Sequence, residues 1–121
     1  MTRLENAFRN KKVFIPFITA GDPDADSTVK YILAAARAGA DLIEIGIPFS
    51  DPTAEGPVIQ EADCRALSSG MTVKGAFEIA VRVRAERQDL PLAFMTYLNP
   101  VFKYREASHM KKEYRRPYLS R

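Results

Sequence analysis

Apolar residues fall into short runs and helical stripes that alternate along the chain. Leu4, Ala7 and Phe8 share one helical face of residues 2–11, which predicts a short leading helix. Residues 13–18 are a compact, β-rich apolar run and predict strand 1. A turn follows at residues 19–23, and Asp24, Asp26 and Ser27 supply an N-cap and first-turn acids for a helix. In that helix Val29, Ile32, Leu33 and Ala36 keep the i, i+3, i+4, i+7 spacing, and Gly39 caps its C-terminal end. Residues 41–47 predict strand 2. A loop stiffened by Pro48, Pro52 and Pro57 leads to a short helix near 58–68, stopped by Ser68, Ser69 and Gly70. Thr72 caps a further helix with Val73, Ala76, Phe77, Ala80 and Val81 as its stripe. Strand 3 covers residues 92–96, introduced by Pro91 and closed by Asn99 and Pro100.

The order is β-α-β-α-β. Right-handed crossovers then make the sheet parallel, and strands apolar on both faces call for helical cover. A doubly wound sheet and a β/α barrel both satisfy this pattern. No Gly-x-Gly-x-x-Gly follows strand 1, which counts against a dinucleotide site.

Charge divides the chain. Residues 1–102 carry 11 Lys/Arg and 13 Asp/Glu, whereas residues 103–121 carry 7 and 2. The net charge of +3 therefore belongs to the end of the chain. A solvated tail explains it better than a nucleic-acid arm, because no folded platform underlies Tyr114 and Tyr118 there. Periodicity fades after Phe102, and residues 108–121 are expected to be disordered. His109 falls in that part and is expected to be exposed, with no catalytic role. No apolar run reaches the length of a membrane span, the N-terminal residues contain no secretory core, and the one cysteine, Cys64, excludes an intrachain disulfide. These features favour the cytoplasm, with neither membrane nor nucleic acid as partner. Cys64 itself is expected to be a small buried packing residue.

The chemistry concentrates in residues 43–60. Leu42, Glu44 and Gly46 point to one side of strand 2, and Ile43, Ile45 and Ile47 to the other. A carboxylate inside an apolar strand is costly to bury as an ion unless it is paired, and burial favours the neutral acid that general acid–base work needs. The flanking isoleucines and Gly46 argue for a central strand over a wet edge. Gly56 permits a tight turn, so Asp51 and Glu55 can project over the strand ends. No histidine lies near these carboxylates and their spacing is not that of a calcium loop, so a metal site is not expected.

Three stretches resemble successive blocks of tryptophan synthase α chains, in the same order and at matching spacing. They are residues 14–23 (FIPFITAGDP), 38–52 (AGADLIEIGIPFSDP) and 95–102 (MTYLNPVF). The middle block is highly specific. The resemblance covers about residues 1–104 and implies the N-terminal part of a (β/α)8 TIM barrel: three parallel strands with intervening helices, the barrel not closed. Residues 105–121 would be a basic, disordered tail unlike the family, as if translated in a shifted frame. The implied activity is that of a lyase in tryptophan biosynthesis. It cleaves indole-3-glycerol phosphate by a retro-aldol reaction to indole and glyceraldehyde 3-phosphate.

By the same resemblance Glu44 is the catalytic acid/base, and Glu55 is the second carboxylate, which hydrogen-bonds the indole N–H. Phe17 and Tyr97 match aromatic positions lining the indole pocket. Pro48, Asp51 and Asn99 match positions near the contact with the β chain, the implied partner in an α2β2 complex. That partner carries pyridoxal phosphate; no cofactor is implied for this chain. Two positions depart from the family: Glu55 stands where Asp is usual, and Thr53 where leucine is usual. An extra methylene moves a carboxylate by more than about 1 Å, and misplacement of that size costs on the order of 100-fold in rate. The family's phosphate-binding loops lie in later strands that this sequence does not contain. Little or no turnover is therefore expected from these 121 residues. The alternatives are a non-catalytic fragment that docks on the β chain and an inert truncation product with open sheet edges.

Overall fold

The computed structural model describes residues 2–9 and 11–109. Helix α1 (Arg3–Ala7) opens with a capping box, in which the Thr2 side chain accepts from the Glu5 N–H and the Glu5 carboxylate accepts from the Thr2 N–H. It is shorter than the expected 2–11. Of its expected apolar face only Ala7 is buried, and Leu4 and Phe8 are exposed.

Strand β1 (Phe17–Thr19) is also shorter than expected. Pro16 has no N–H to give to a ladder, so residues 13–16 run beside the next strand without forming regular sheet. Their carbonyls still take part: Asp41 N–H donates to Phe14 at 2.9 Å and Glu44 N–H to Pro16 at 3.0 Å. The Asp41 carboxylate, paired with Lys11, accepts from Phe14 N–H, and these contacts hold it below the usual carboxylate range.

Helix α2 (Ala25–Arg37) starts at Asp24, whose side chain accepts from Ser27 N–H at 2.7 Å. It buries Val29, Ile32, Leu33 and Ala36, the four residues its spacing nominated. Strand β2 (Ile43–Gly46) pairs in parallel with β1 on one side and with β3 (Leu92–Met95) on the other, giving the order β1-β2-β3. Phe17 and Ala93 lie opposite Glu44, so the carboxylate stands on the central strand.

Helix α3 (Pro57–Ser68) begins with a proline, which loses nothing at a position whose N–H has no helical partner. Helix α4 (Val73–Glu86) is capped by Thr72, which accepts from Gly75 N–H. It buries Ala76, Ile79 and Val83, with Val73 and Ala80 packed beside them, while Val81 is exposed. Of the stripe expected on 73, 76, 77, 80 and 81, Ala76 is buried, and the buried positions continue through Ile79 and Val83, which that stripe did not include. The core lies between α2, α4 and the sheet face that carries Ile18, Ile43, Ile45 and Leu92. Ile32, Ile43, Ile45, Ile79 and Val83 are fully buried there, each contributing about 1.5–3 kcal/mol of transfer free energy.

Asn99 and Pro100 do not form a turn. They lie in the first turn of helix α5 (Leu98–His109), where a proline is tolerated. That helix runs past residue 104, where the sequence placed a domain boundary. It includes the backbone of His109; Tyr114 and Tyr118 lie outside the described residues, as does everything after 109. Among the described residues no helix is long and apolar enough to cross a membrane.

Candidate active site

Parallel strands deliver their C-terminal ends to one rim of the sheet, and active sites of β/α proteins are built there. At that rim Ile47 N–H donates to Met95 carbonyl at 2.9 Å, so the chain leaves β2 and β3 side by side. Phe17, Glu44, Ala93 and Met95 present their side chains on the face opposite the core, where Gly46 leaves a gap. Glu44 is half-buried on that face. A Cβ on Gly46 would sit 2.4 Å from Cζ of Phe17, so the aromatic ring lies directly over the glycine. Glycine inside a strand often marks such an approach, and this one positions an aromatic beside the strand that bears Glu44.

The loop after β2 is held from two sides. From α3, Gln60 Nε2 donates to the carbonyls of Glu55 at 2.8 Å and Pro52 at 3.2 Å. From the end of β3, the Tyr97 phenol donates to the Glu55 carboxylate and accepts from Ala54 N–H at 2.8 Å. The Tyr97 ring lies against Phe49, with centroids 5.0 Å apart and planes inclined at 34°. Burial and then the bond to Glu55 push the phenol above the usual tyrosine range.

The sequence-derived residues therefore separate into groups. Glu44 and Phe17 meet across the β1–β2 ladder, and Glu55 and Tyr97 meet through a hydrogen bond. Pro48 is buried and lines an open groove of about 420 Å³ together with Pro100, the neighbour of Asn99. Asp51 is exposed at the outer side of the loop, where its carboxylate accepts from the Ser50 hydroxyl at 3.2 Å.

Residue 63 was missed. Cys64, expected to be buried, is exposed, and its neighbour Asp63 is 5% exposed. Ile59, Ala62, Asp63 and Ala66 follow the i, i+3, i+4, i+7 spacing, so the helical period puts the carboxylate on the buried stripe. The signal was present in the sequence. Burial pushes the Asp63 carboxyl up, the Phe49 backbone N–H acts in the opposite direction, and the Glu55 charge adds to the rise.

A parallel sheet with a carboxylate on its central strand, a carboxylate-bearing loop at the strand ends and two packed aromatic rings defines a β/α-barrel type of site. The family model described as tryptophan synthase alpha chain matches residues 4–116. The tryptophan synthase alpha chain of Lacticaseibacillus casei is 51% identical over 112 residues, covering 93% of this chain and 42% of that one. That of Halalkalibacterium halodurans is 47% identical over 113 residues, covering 93% and 43%. Among solved structures, tryptophan synthase subunit alpha of Legionella pneumophila superposes with a TM-score of 0.82 at 39% identity, covering 86% of this chain and 42% of that one. A structure of the tryptophan synthase α2β2 complex of Pyrococcus furiosus superposes with a TM-score of 0.71 at 44% identity, covering 76% and 36%. The chain belongs to the tryptophan synthase α chain family. It spans about two-fifths of the length of the relatives it matches, and its three-stranded sheet corresponds to that part of their barrel.

Proposed function

We propose that this chain serves the lyase reaction of its family, the retro-aldol cleavage of indole-3-glycerol phosphate in tryptophan biosynthesis, and that these residues supply its proton-handling groups. The observation that carries the reading is the pairing of a half-buried Glu44 on the central strand with a second carboxylate, Glu55, fixed by Tyr97 over the strand ends. In this reading Glu44 delivers a proton to the indole carbon that bears the side chain. Glu55 accepts the indole N–H and stabilises the resulting cation. Loss of the proton from the side-chain hydroxyl, assisted by Glu44, then forms the aldehyde; the carbon–carbon bond breaks and its electron pair returns to the ring. Phe17 and Tyr97 present aromatic faces to the indole. Pro48, Asp51 and Asn99 belong to the surface that meets the β chain, and pyridoxal phosphate resides on that partner. A cytoplasmic location accords with a single, exposed cysteine.

The test is indole release from indole-3-glycerol phosphate by the purified chain, with and without a tryptophan synthase β chain. Release that falls about 100-fold or more in Glu44→Gln is expected. A variant as active as its parent, or a parent that releases nothing, overturns the catalytic reading. In the second case co-sedimentation with the β chain decides whether docking alone remains.

A further inference from the structure

The loop after β2 has no ladder of its own. Among the described residues no backbone–backbone hydrogen bond joins any two of residues 48–55, yet this loop carries the Glu55 carboxylate to the strand ends. Side chains hold it instead. Gln60, near the start of α3, donates from a single amide nitrogen to the carbonyls of Glu55 at 2.8 Å and Pro52 at 3.2 Å. Both partners are acceptors, so only the NH2 end of the amide can serve them, and this fixes which way Gln60 points. The two carbonyls bracket Thr53 and Ala54. The Ala54 N–H is taken by the Tyr97 phenol at 2.8 Å, and the same phenol donates to the Glu55 carboxylate. Glu55 is thus held at both ends, its carbonyl by Gln60 and its carboxylate by Tyr97.

Such a clasp is only as firm as the helix that bears it. The far half of α3 is strapped to the turn that leaves β1. Arg65 forks onto Asp22, with Nε and Nη2 each 2.9 Å from a carboxylate oxygen, and the Ser69 hydroxyl donates to the Gly21 carbonyl at 3.0 Å. A bidentate pair restrains orientation as well as distance. That turn is itself fixed to the rim of the sheet, where Ala20 N–H donates to the Gly46 carbonyl at 2.8 Å. It is fixed to α2 as well, where Gly21 N–H donates to the buried Thr28 hydroxyl at 3.0 Å.

We propose that Gln60 is the positioning residue for Glu55: its amide clasps the two carbonyls that bracket residues 53 and 54, and α3, strapped to the β1 turn through Arg65 and Ser69, keeps that clasp facing Tyr97. Only the use of Glu55 on an indole N–H rests on the function proposed above; the clasp itself does not.

The test uses the full chain with two substitutions. Gln60→Met removes the donor at similar length, and Gln60→Glu sets a carboxylate against the same two carbonyls at neutral pH. In Gln60→Met the Tyr97 phenol is titrated by difference absorbance, each curve taken against the matching Tyr97→Phe protein. Burial and the bond to Glu55 hold this phenol above the usual tyrosine range in the parent, so release of Glu55 is expected to bring the curve down toward the other tyrosines. Amide hydrogen exchange is followed at Ala54, with Ile45 as the core reference. Exchange at Ala54 is expected to rise about tenfold in Gln60→Met and at least as far in Gln60→Glu, while Ile45 stays protected. An unmoved Tyr97 curve in Gln60→Met overturns the proposal, as does parent-like exchange at Ala54 in either variant. Loss of protection at Ile45 together with Ala54 also overturns it, because Gln60 would then support the whole fold. Should the chain pass these measurements and release no indole, the function reading fails and the clasp stands.

Discussion

The Tyr97 phenol reaches back to the loop after β2, donating to the Glu55 carboxylate while accepting the Ala54 N–H at 2.8 Å. One hydroxyl therefore uses both its donor and its acceptor capacity to join the end of β3 to the loop. The Glu55 carboxylate is thereby occupied by a tyrosine.

That bond predicts a titration. Burial and Glu55 favour the neutral phenol, so its contribution to stability is complete below the ordinary tyrosine range and is lost as pH rises through the raised value of Tyr97. Subtracting the tyrosinate absorbance of Tyr97→Phe from that of the parent isolates this residue among five tyrosines. The difference curve is expected above the others, moving down in Glu55→Gln. A difference curve centred with the remaining tyrosines would count against the bond.

Gly46→Ala should reduce indole binding more than it reduces stability. The new methyl would meet Cζ of Phe17 at 2.4 Å, and the end of a side chain can swing away where backbone cannot. The displaced ring then leaves the face that carries Glu44, and affinity is expected to drop about tenfold, the scale of ~1–1.5 kcal/mol of aromatic contact. The chain contains no tryptophan, so indole fluorescence reports binding against a tyrosine background. Equal affinity for parent and variant would show that Phe17 does not contact indole.

The core makes a paired prediction. Ile45, on β2, is fully buried in the core it shares with α2 and α4, so Ile45→Ala is expected to cost about 2–5 kcal/mol in urea unfolding. Val81, on the stripe the sequence favoured, is 48% exposed, and Val81→Ala is expected to stay within about 0.5 kcal/mol. A reversed order would mean that α4 packs through the other face.

Asp63 also gives a pH signature. Its carboxyl is pushed up by burial, so the neutral form suits the fold and its stability contribution fades as pH rises through the raised value. Asp63→Asn removes that loss. Melting temperatures measured across acid to neutral pH should favour the variant near neutrality, and the gap should close on acidification. A gap that widened in acid would show that Asp63 is bound as a stabilised ion.

The sequence by itself determined the order of the elements as far as β3, the parallel sheet, the buried face of α2 and the family, because each rests on local period or on a contiguous motif; helix α5 was not among them. Strands were less legible at their ends. Apolar content marks residues 13–18 as strand, but a ladder needs donors, and Pro16 supplies none, so regular pairing starts at Phe17. The stripe of α4 was placed only in part, with Ala76 included and Ile79 and Val83 left out. Val73, Ala76, Phe77, Ala80 and Val81 form an acceptable face in isolation, and only the position of the sheet selects Ala76, Ile79 and Val83. At the site, strand alternation put Glu44 and Gly46 on one side, and the resemblance nominated Glu55 and Tyr97. What joins them belongs to tertiary structure alone. Tyr97 finds Glu55 across 42 positions, and the Phe17 ring covers Gly46. A hydrogen bond depends on where two atoms stand in space, and no period in a sequence records the distance between residues on different elements.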